Sequence, residues 1–177
     1  MLKFKYLLNF LLVISLLGFG ACSANSHTDT ATSIDTVASD DNESGLRVTG
    51  DCDVVFDEQT NEIKLVSNIT VAPESRARCI IRVKSPNPQQ PVRLVPLALK
   101  GQVTKAPATL AVSSILIGED EPTSFAESYT RPTSFDLAKE IPTTGYTTAG
   151  QNVFGINLTV STQEGSLEIT DLKFAIQ

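Results

Sequence analysis

From Leu46 to the end of the chain, apolar and polar residues alternate with a period of two. Leu46, Val48, Gly50, Cys52, Val54 and Phe56 are apolar or small, and Arg47, Thr49, Asp51, Asp53 and Asp57 interleave with them, as in a strand with one wet face. A polar turn over residues 57–62 separates this run from Ile63, Leu65, Ser67, Ile69 and Val71, so the two runs read as an antiparallel hairpin. Cys79, Ile81 and Val83 share one phase of a third run, and Pro86, Pro88 and Pro91 punctuate the loop after it. Residues 92–103 and 110–117 are apolar on both phases, which predicts strands covered on both faces. Pro96 cannot donate a ladder hydrogen bond and so marks an edge or a bulge.

Residues 119–150 are rich in Thr, Ser, Pro and Glu and too long for an idle loop. One short strand is predicted inside them, over residues 134–141, with Phe125, Tyr129, Phe135 and Tyr146 pinning the segment to the body. Phe154, Ile156, Leu158 and Val160 then alternate, a turn follows over 162–166, and Leu167 and Ile169 give way to Leu172, Phe174 and Ile176 one phase later. These runs read as a second hairpin with a β-bulge near Thr170-Asp171. No segment of the domain keeps a helical period. The pattern predicts an all-β fold, an antiparallel β-sandwich of about seven to nine strands over residues 46–177.

The chain has 177 residues, 41% of them hydrophobic, enough for one domain with a core. Its formal charge is −6, from 14 Lys and Arg against 20 Asp and Glu, so there is no overall basic excess of the kind that holds nucleic acid. One His, no Trp and three Cys are too few for a His/Cys zinc site, and no metal or cofactor set is readable.

Residues 1–21 have the form of a signal peptide, with Lys3 and Lys5 before an apolar stretch over residues 7–19 that only Asn9 and Ser15 interrupt. The stretch is shorter than the roughly 20 apolar residues a spanning helix needs. It ends in Gly18, Phe19, Gly20, Ala21 and Cys22, which resembles the lipobox of bacterial lipoproteins, with Phe19 where that box usually has Leu. The resemblance implies cleavage before Cys22 and a diacylglycerol with palmitate-type acyl chains on its thiol, a membrane partner held through lipid. Ser23 after the Cys resembles lipoproteins sent to the outer membrane or cell surface. Ordinary cleavage after Gly20 or Ala21 would instead give a soluble periplasmic or secreted protein. Residues 22–45 carry Asp29, Asp35, Asp40, Asp41 and Glu43, no Lys or Arg, and only Ile34 and Val37 as sizeable apolar groups, which predicts a disordered acidic linker. His27 belongs to this spacer.

With Cys22 set aside, Cys52 and Cys79 form an even pair in an oxidising compartment and are expected to be disulfide-bonded, both sulfurs facing the core. From Asn68 to about Lys173 the domain also resembles a family of small secreted proteins of unknown function found in fungi and bacteria. The matching pieces are Arg76-Ala77-Arg78-Cys79, the Pro86 to Pro91 turn, Lys100-Gly101-Gln102-Val103, and the run from Leu167 through Ile169 to Leu172. That family usually has further cysteines in its second half, which this chain lacks. Its members have no established activity, so the resemblance implies no functional residues.

Asp51, Asp53 and Asp57 share one strand phase but point in parallel, so they read as a solvated face and not as a cation site. The acids of Gly118-Glu119-Asp120-Glu121-Pro122 lack the spacing of known calcium loops. Thr123-Ser124-Phe125 recurs as Thr133-Ser134-Phe135, a coincidence of common residues. Asn68-Ile69-Thr70 and Asn157-Leu158-Thr159 fit the glycosylation sequon on outward phases, though a lipoprotein leader implies a bacterium where that pathway is usually absent. No nucleophile elbow, Ser/His pair or phosphate loop occurs. The resulting expectation is an exported lipoprotein of the cell envelope acting as a non-catalytic binding or structural module, with an envelope protein or polysaccharide as partner and 119–150 as contact surface. The alternative is a carboxylate-dependent hydrolase of envelope polymers, which needs two converging carboxyls, one of them desolvated.

Overall fold

Eleven strands and no helix make up the residues described by the computed structural model, 45–119, 121–148 and 150–177. The segments expected to be a leader and an acidic linker, and Cys22, the expected lipidation site, lie outside them. In chain order the strands are β1 (Leu46–Gly50), β2 (Val54–Asp57), β3 (Glu62–Leu65), β4 (Ile69–Val71), β5 (Arg76–Lys84), β6 (Leu94–Lys105), β7 (Ala108–Leu116), β8 (Thr123–Tyr129), β9 (Thr133–Asp136), β10 (Val153–Thr162) and β11 (Ser166–Ile176). The first sheet has the order β1-β5-β10-β7-β8 and the second β2-β3-β11-β6-β9, with β4 also paired to β11. All pairings between strands are antiparallel, so the sandwich read from the alternation is the fold.

Both sheets bury one phase against a shared core. Ile81, Leu110, Phe154, Ile156 and Leu158 of the first sheet meet Ile63, Leu94, Leu99, Ile169 and Phe174 of the second, all at 0–1% exposure. Two tightly paired apolar faces of this kind are the main source of stability in a sandwich.

The run over 46–56 is two strands. At Gly50, with φ of +108°, the chain leaves the edge of the first sheet, and four residues later, at Val54, β2 starts the edge of the second. The alternation runs unbroken through the crossing because the two sheets face the same core, so the inward phase continues as an inward phase. A Cβ at Gly50 would collide with the carbonyl oxygen of Arg78, so only glycine makes this exit. The Cys52–Cys79 disulfide, with Cα atoms 5.5 Å apart, ties the crossing to β5. Cys79 is 1% exposed, and Cys52 is half-buried against the core.

The hairpin expected around residues 57–62 is present as β2 and β3, with Asp57 opposite Glu62. The second expected hairpin is not. β10 lies in the first sheet between β5 and β7, and β11 lies in the second, so the turn between them is a corner joining the sheets. Gly165 makes that corner against the carbonyl oxygen of Pro107, with no room for a side chain. The bulge near Thr170-Asp171 is confirmed by a register shift between Ile169 and Asp171, and Pro96 sits at another, opposite Phe174. Residues 119–150 hold two strands where one was expected. β8 and β9 are the free edges of the first and second sheets, and each of the two Thr-Ser-Phe tripeptides opens one of them. Tyr129 and Phe135 stack with centroids 5.5 Å apart, but Tyr146 is 55% exposed and pins nothing, with the Arg93 guanidinium 5.0 Å from its ring centroid.

Candidate functional site

β5 divides its side chains strictly by phase. Ala77, Cys79, Ile81 and Val83 are buried, while Arg76, Arg78, Arg82 and Lys84 lie on the outer face with half-buried Ile80. The antiparallel ladder sets Arg47 of β1 directly opposite Arg82. Five basic side chains therefore share one face along one edge of the first sheet. Same-face neighbours along a strand stand nearly 7 Å apart, so the stripe from Arg76 to Lys84 runs roughly 26 Å.

The lanes beside the stripe are small and hydroxylated. β10 presents Gly155, Asn157, Thr159 and Ser161 on this face, paired in turn with Ile115, Ser113, Ala111 and Thr109 of β7. β8 completes the face with Ser124, Ala126 and Ser128. No acidic residue holds an outward position in this sheet.

Arg82 is held in place. Its Nη1 donates to the Ile81 carbonyl at 3.0 Å and to Asn157 Oδ1 at 3.4 Å, and Asn157 Nδ2 donates onward to Ser113 Oγ at 3.4 Å. A Cβ on Gly155 would lie 2.8 Å from Arg82 Nη1 and 3.1 Å from Ile115 Cγ2. The missing side chain leaves a shallow trough in which the guanidinium lies. The carboxylate nearest this edge in sequence, Asp51, accepts the backbone N–H of Arg78 at 2.9 Å and so serves the main chain.

The second sheet treats its charges differently. Lys64 Nζ pairs with Asp57 Oδ2 at 2.9 Å and with Glu62 Oε2 at 2.9 Å, and Lys100 faces Asp136 at 3.9 Å. These are the only ion pairs among the described residues, and none involves the stripe. The Lys64 ammonium, helped by the Thr60 side chain and backbone, lowers the Asp57 carboxyl to about 2; Lys64 also lowers Glu62 and is itself raised by Asp57 and then Glu62. Glu168 is lowered by hydrogen bonds from Asn68 Nδ2 at 2.8 Å and Gln102 Nε2 at 3.0 Å. Among the described residues, ion pairs form on the second sheet, and the cationic stripe of the first has none.

The residues singled out in the sequence do not converge. Asp51 and Asp53 lie in the crossing between sheets, and Asp57 ends β2, where it also accepts the Gln59 N–H at 3.0 Å. Glu119 is half-buried beyond the end of β7, Glu121 is exposed, and Asp120 lies outside the described residues. Among the described residues no group of three His, Cys, Asp or Glu is placed to hold a metal ion. Asn68 and Asn157 are both engaged, with Glu168 and with Arg82. Glu127 and Asp136 line one open pocket of about 410 Å³ with Arg131 and Tyr129, between the edge strands β8 and β9. Both are exposed, and no carboxyl among the described residues is buried. The hydrolase alternative therefore lacks the desolvated acid it requires in the described structure. Residues 119–150, the expected contact surface, contribute two edge strands, and the stripe lies on the opposite edge of the first sheet.

The stripe had a signal in the sequence. Arg76, Arg78, Arg82 and Lys84 occupy the phase opposite to Ala77, Cys79, Ile81 and Val83, and a formal charge of −6 averages that phase away.

No protein-family model matches the chain, and no curated protein sequence matches it. Among solved structures, TmCBM61 in complex with β-1,4-galactotriose aligns over 76% of this chain and 88% of its own, at 13% identity and a TM-score of 0.40. The enzymatically active domain of tailspike protein 4 from bacteriophage CBA120 aligns over 77% of this chain but 20% of its own, at 15% identity and a TM-score of 0.35. A family 11 carbohydrate-binding module from Clostridium thermocellum, in complex with a β-1,3-1,4-mixed-linked tetrasaccharide, aligns over 74% of this chain and 84% of its own, at 6% identity and a TM-score of 0.28. With TM-scores of 0.40 and below, these superpositions transfer neither a site nor a ligand to this chain.

Proposed function

We propose that this protein is an exported lipoprotein, anchored in the cell envelope through Cys22, whose β-sandwich is a non-catalytic binding module for anionic polysaccharide. The binding surface is the outer face of the first sheet. The observation that carries this reading is the stripe of Arg47, Arg76, Arg78, Arg82 and Lys84, without an ion-pair partner among the described residues, in a chain of net negative charge. Guanidinium groups present forked donors that match carboxylate, phosphate and sulfate oxygens in pairs. The flanking lanes of Asn, Ser and Thr offer donors and acceptors for sugar hydroxyls beside those charges. Of the exposed large apolar residues, Val55, Val66, Leu97 and Tyr146 lie outside the first sheet, and Ile117 continues the outward phase of β7 at the end of the face, where its N–H donates to the Val153 carbonyl at 2.8 Å.

The test uses the chain from residue 22 carrying Cys22→Ser, passed over immobilised dextran sulfate and over neutral dextran. Retention on the sulfated resin at low salt, release as salt rises, and no retention on dextran is the expected result. Equal passage through both resins overturns the proposal. Anchoring is tested separately by fractionating cells that express the full chain with and without Cys22→Ser. A variant that still sediments with membranes rules out the lipid.

A further inference from the structure

We infer that the Lys84 end of the first sheet's outer face docks on an anionic lipid surface, with Val153, Ile115 and Ile117 set against the lipid and Arg47, Arg82 and Lys84 against its headgroups. The inference goes beyond the polysaccharide reading and gives one end of that face a second partner. The face is polarised along its strands. At the far end Arg76 stands opposite Ser161 and Ser161 opposite Thr109, while Arg78 stands opposite Thr159, so the cations there have hydroxyls beside them. At the near end the hydroxyls stop. Lys84 stands opposite Val153, whose carbonyl accepts the Ile117 N–H at 2.8 Å, and the next row reads Arg47, Arg82, Gly155, Ile115 across four strands. These two rows contain only cations, aliphatic side chains and a glycine. Ile117 is 42% exposed, and Val153 and Ile115 are half-buried. From the spacing of strands and of same-face residues the cluster covers roughly 14 by 7 Å.

An apolar patch edged by cations matches a surface whose apolar layer lies beneath anionic headgroups, where binding grows with the apolar area buried and with the attraction of Lys and Arg to those headgroups. The aliphatic stems of Arg47, Arg82 and Lys84 can lie along such a layer while their charges reach headgroup level. A sulfated or carboxylated sugar chain offers charge and hydroxyls but no apolar layer, and leaves Val153, Ile115 and Ile117 unused. Among the described residues no ion pair involves the three cations. The acids that follow β7 depart from the patch: the chain turns at Gly118, with φ of +105°, and the Glu119 carboxylate lies against Gly145, where a Cβ would stand 2.9 Å from its Oε1. Gly145 belongs to the segment that hydrogen-bonds to Val92 and Leu94, beside the second sheet. Glu121 is exposed beyond this turn.

The experiment uses the chain from residue 22 carrying Cys22→Ser, which has no Trp, and adds Ile117→Trp as its one indole. At low salt, vesicles of phosphatidylcholine with phosphatidylglycerol are expected to shift the Trp emission to the blue, and vesicles of phosphatidylcholine alone, or dextran sulfate, to leave it in place. Unchanged emission on the anionic vesicles, or an equal shift with dextran sulfate, overturns the inference. Because Trp itself favours a lipid interface, Ile117→Asn is compared with the Ile117 chain by cosedimentation. Its affinity for the anionic vesicles is expected to fall at least about threefold while its affinity for dextran sulfate stays within about twofold. Vesicle affinity that does not change also overturns the inference. The two readings fail separately. A chain with Ile117 intact that cosediments with the anionic vesicles but ignores dextran sulfate loses the polysaccharide and keeps the lipid contact, and one that binds dextran sulfate but leaves the vesicles alone does the reverse.

Discussion

Arg47 of β1 and Arg82 of β5 face each other across an antiparallel ladder, two guanidinium-bearing residues at directly opposed positions on an open sheet face. Like charges in this geometry destabilise a sheet by about 0.2 to 1 kcal/mol, and nothing in the described structure offsets them with a carboxylate. In the proposed function, this outward pair serves the polyanion. Arg47→Thr is therefore expected to raise stability to chemical denaturation by about 0.2 to 1 kcal/mol while weakening dextran sulfate binding. Falling stability and unchanged binding would mean that the pair supports the fold instead.

Gly155 is expected to matter for binding more than for folding. An alanine Cβ would meet the movable end of Arg82, so the fold yields cheaply, with a stability change within about 1 kcal/mol. The guanidinium, however, loses its trough and its alignment with Asn157. Gly155→Ala should reduce polyanion affinity about as much as Arg82→Gln does, read by the same titration beside a thermal melt.

The disulfide holds the crossing from β1 to β2 against β5, and with it the edge that carries Arg47. With a sequence separation of 27, its removal by paired Cys52→Ala and Cys79→Ala is expected to cost about 3 to 4 kcal/mol in the chain-entropy account. The check is urea denaturation of the variant against the parent. Loss of only a few tenths of a kcal/mol would mean that the crossing is already fixed by the β1–β5 ladder.

Acid should weaken the Asp57–Lys64 pair at the β2–β3 hairpin. The Asp57 carboxyl is held near 2 by Lys64, below its ordinary value of 3.8, so its contribution is in place above the ordinary Asp range and is lost as pH falls through about 2. Lys64→Met is expected to return the Asp57 titration toward the ordinary range, followed by carboxyl chemical shifts in NMR. A titration that stays near 2 in the variant would place the cause in the backbone hydrogen bonds from Gln59 and Thr60.

The sandwich was legible in the sequence because period-two burial is a local property; the inward placement of Cys52 and Cys79 and the bulge near Asp171 follow from phase, and the disulfide from an even cysteine pair. The partners of each strand were not. Residues 154–160 and 167–176 look like a hairpin because a turn between two alternating runs has the same pattern whether the strands pair or face each other across a core. β8 was hidden because Thr123 to Tyr129 covers an edge, where only every other residue touches the body and Glu127 is tolerated. The stripe was half visible. The outward phase of β5 could be read from Arg76 to Lys84, but Arg47 joins it only through a register that links residues far apart in the chain.

The central claim is that position on the first sheet, and not total charge, governs binding. The most direct measurement is the affinity for dextran sulfate of two variants with the same change in net charge, Arg78→Gln with Arg82→Gln on the first sheet and Lys100→Gln with Lys173→Gln on the second. The expected result is a loss of about tenfold or more for the first pair, about 1.4 kcal/mol, and a change of less than about twofold for the second. Equal losses in the two variants, or no measurable binding by the parent chain, would contradict the account.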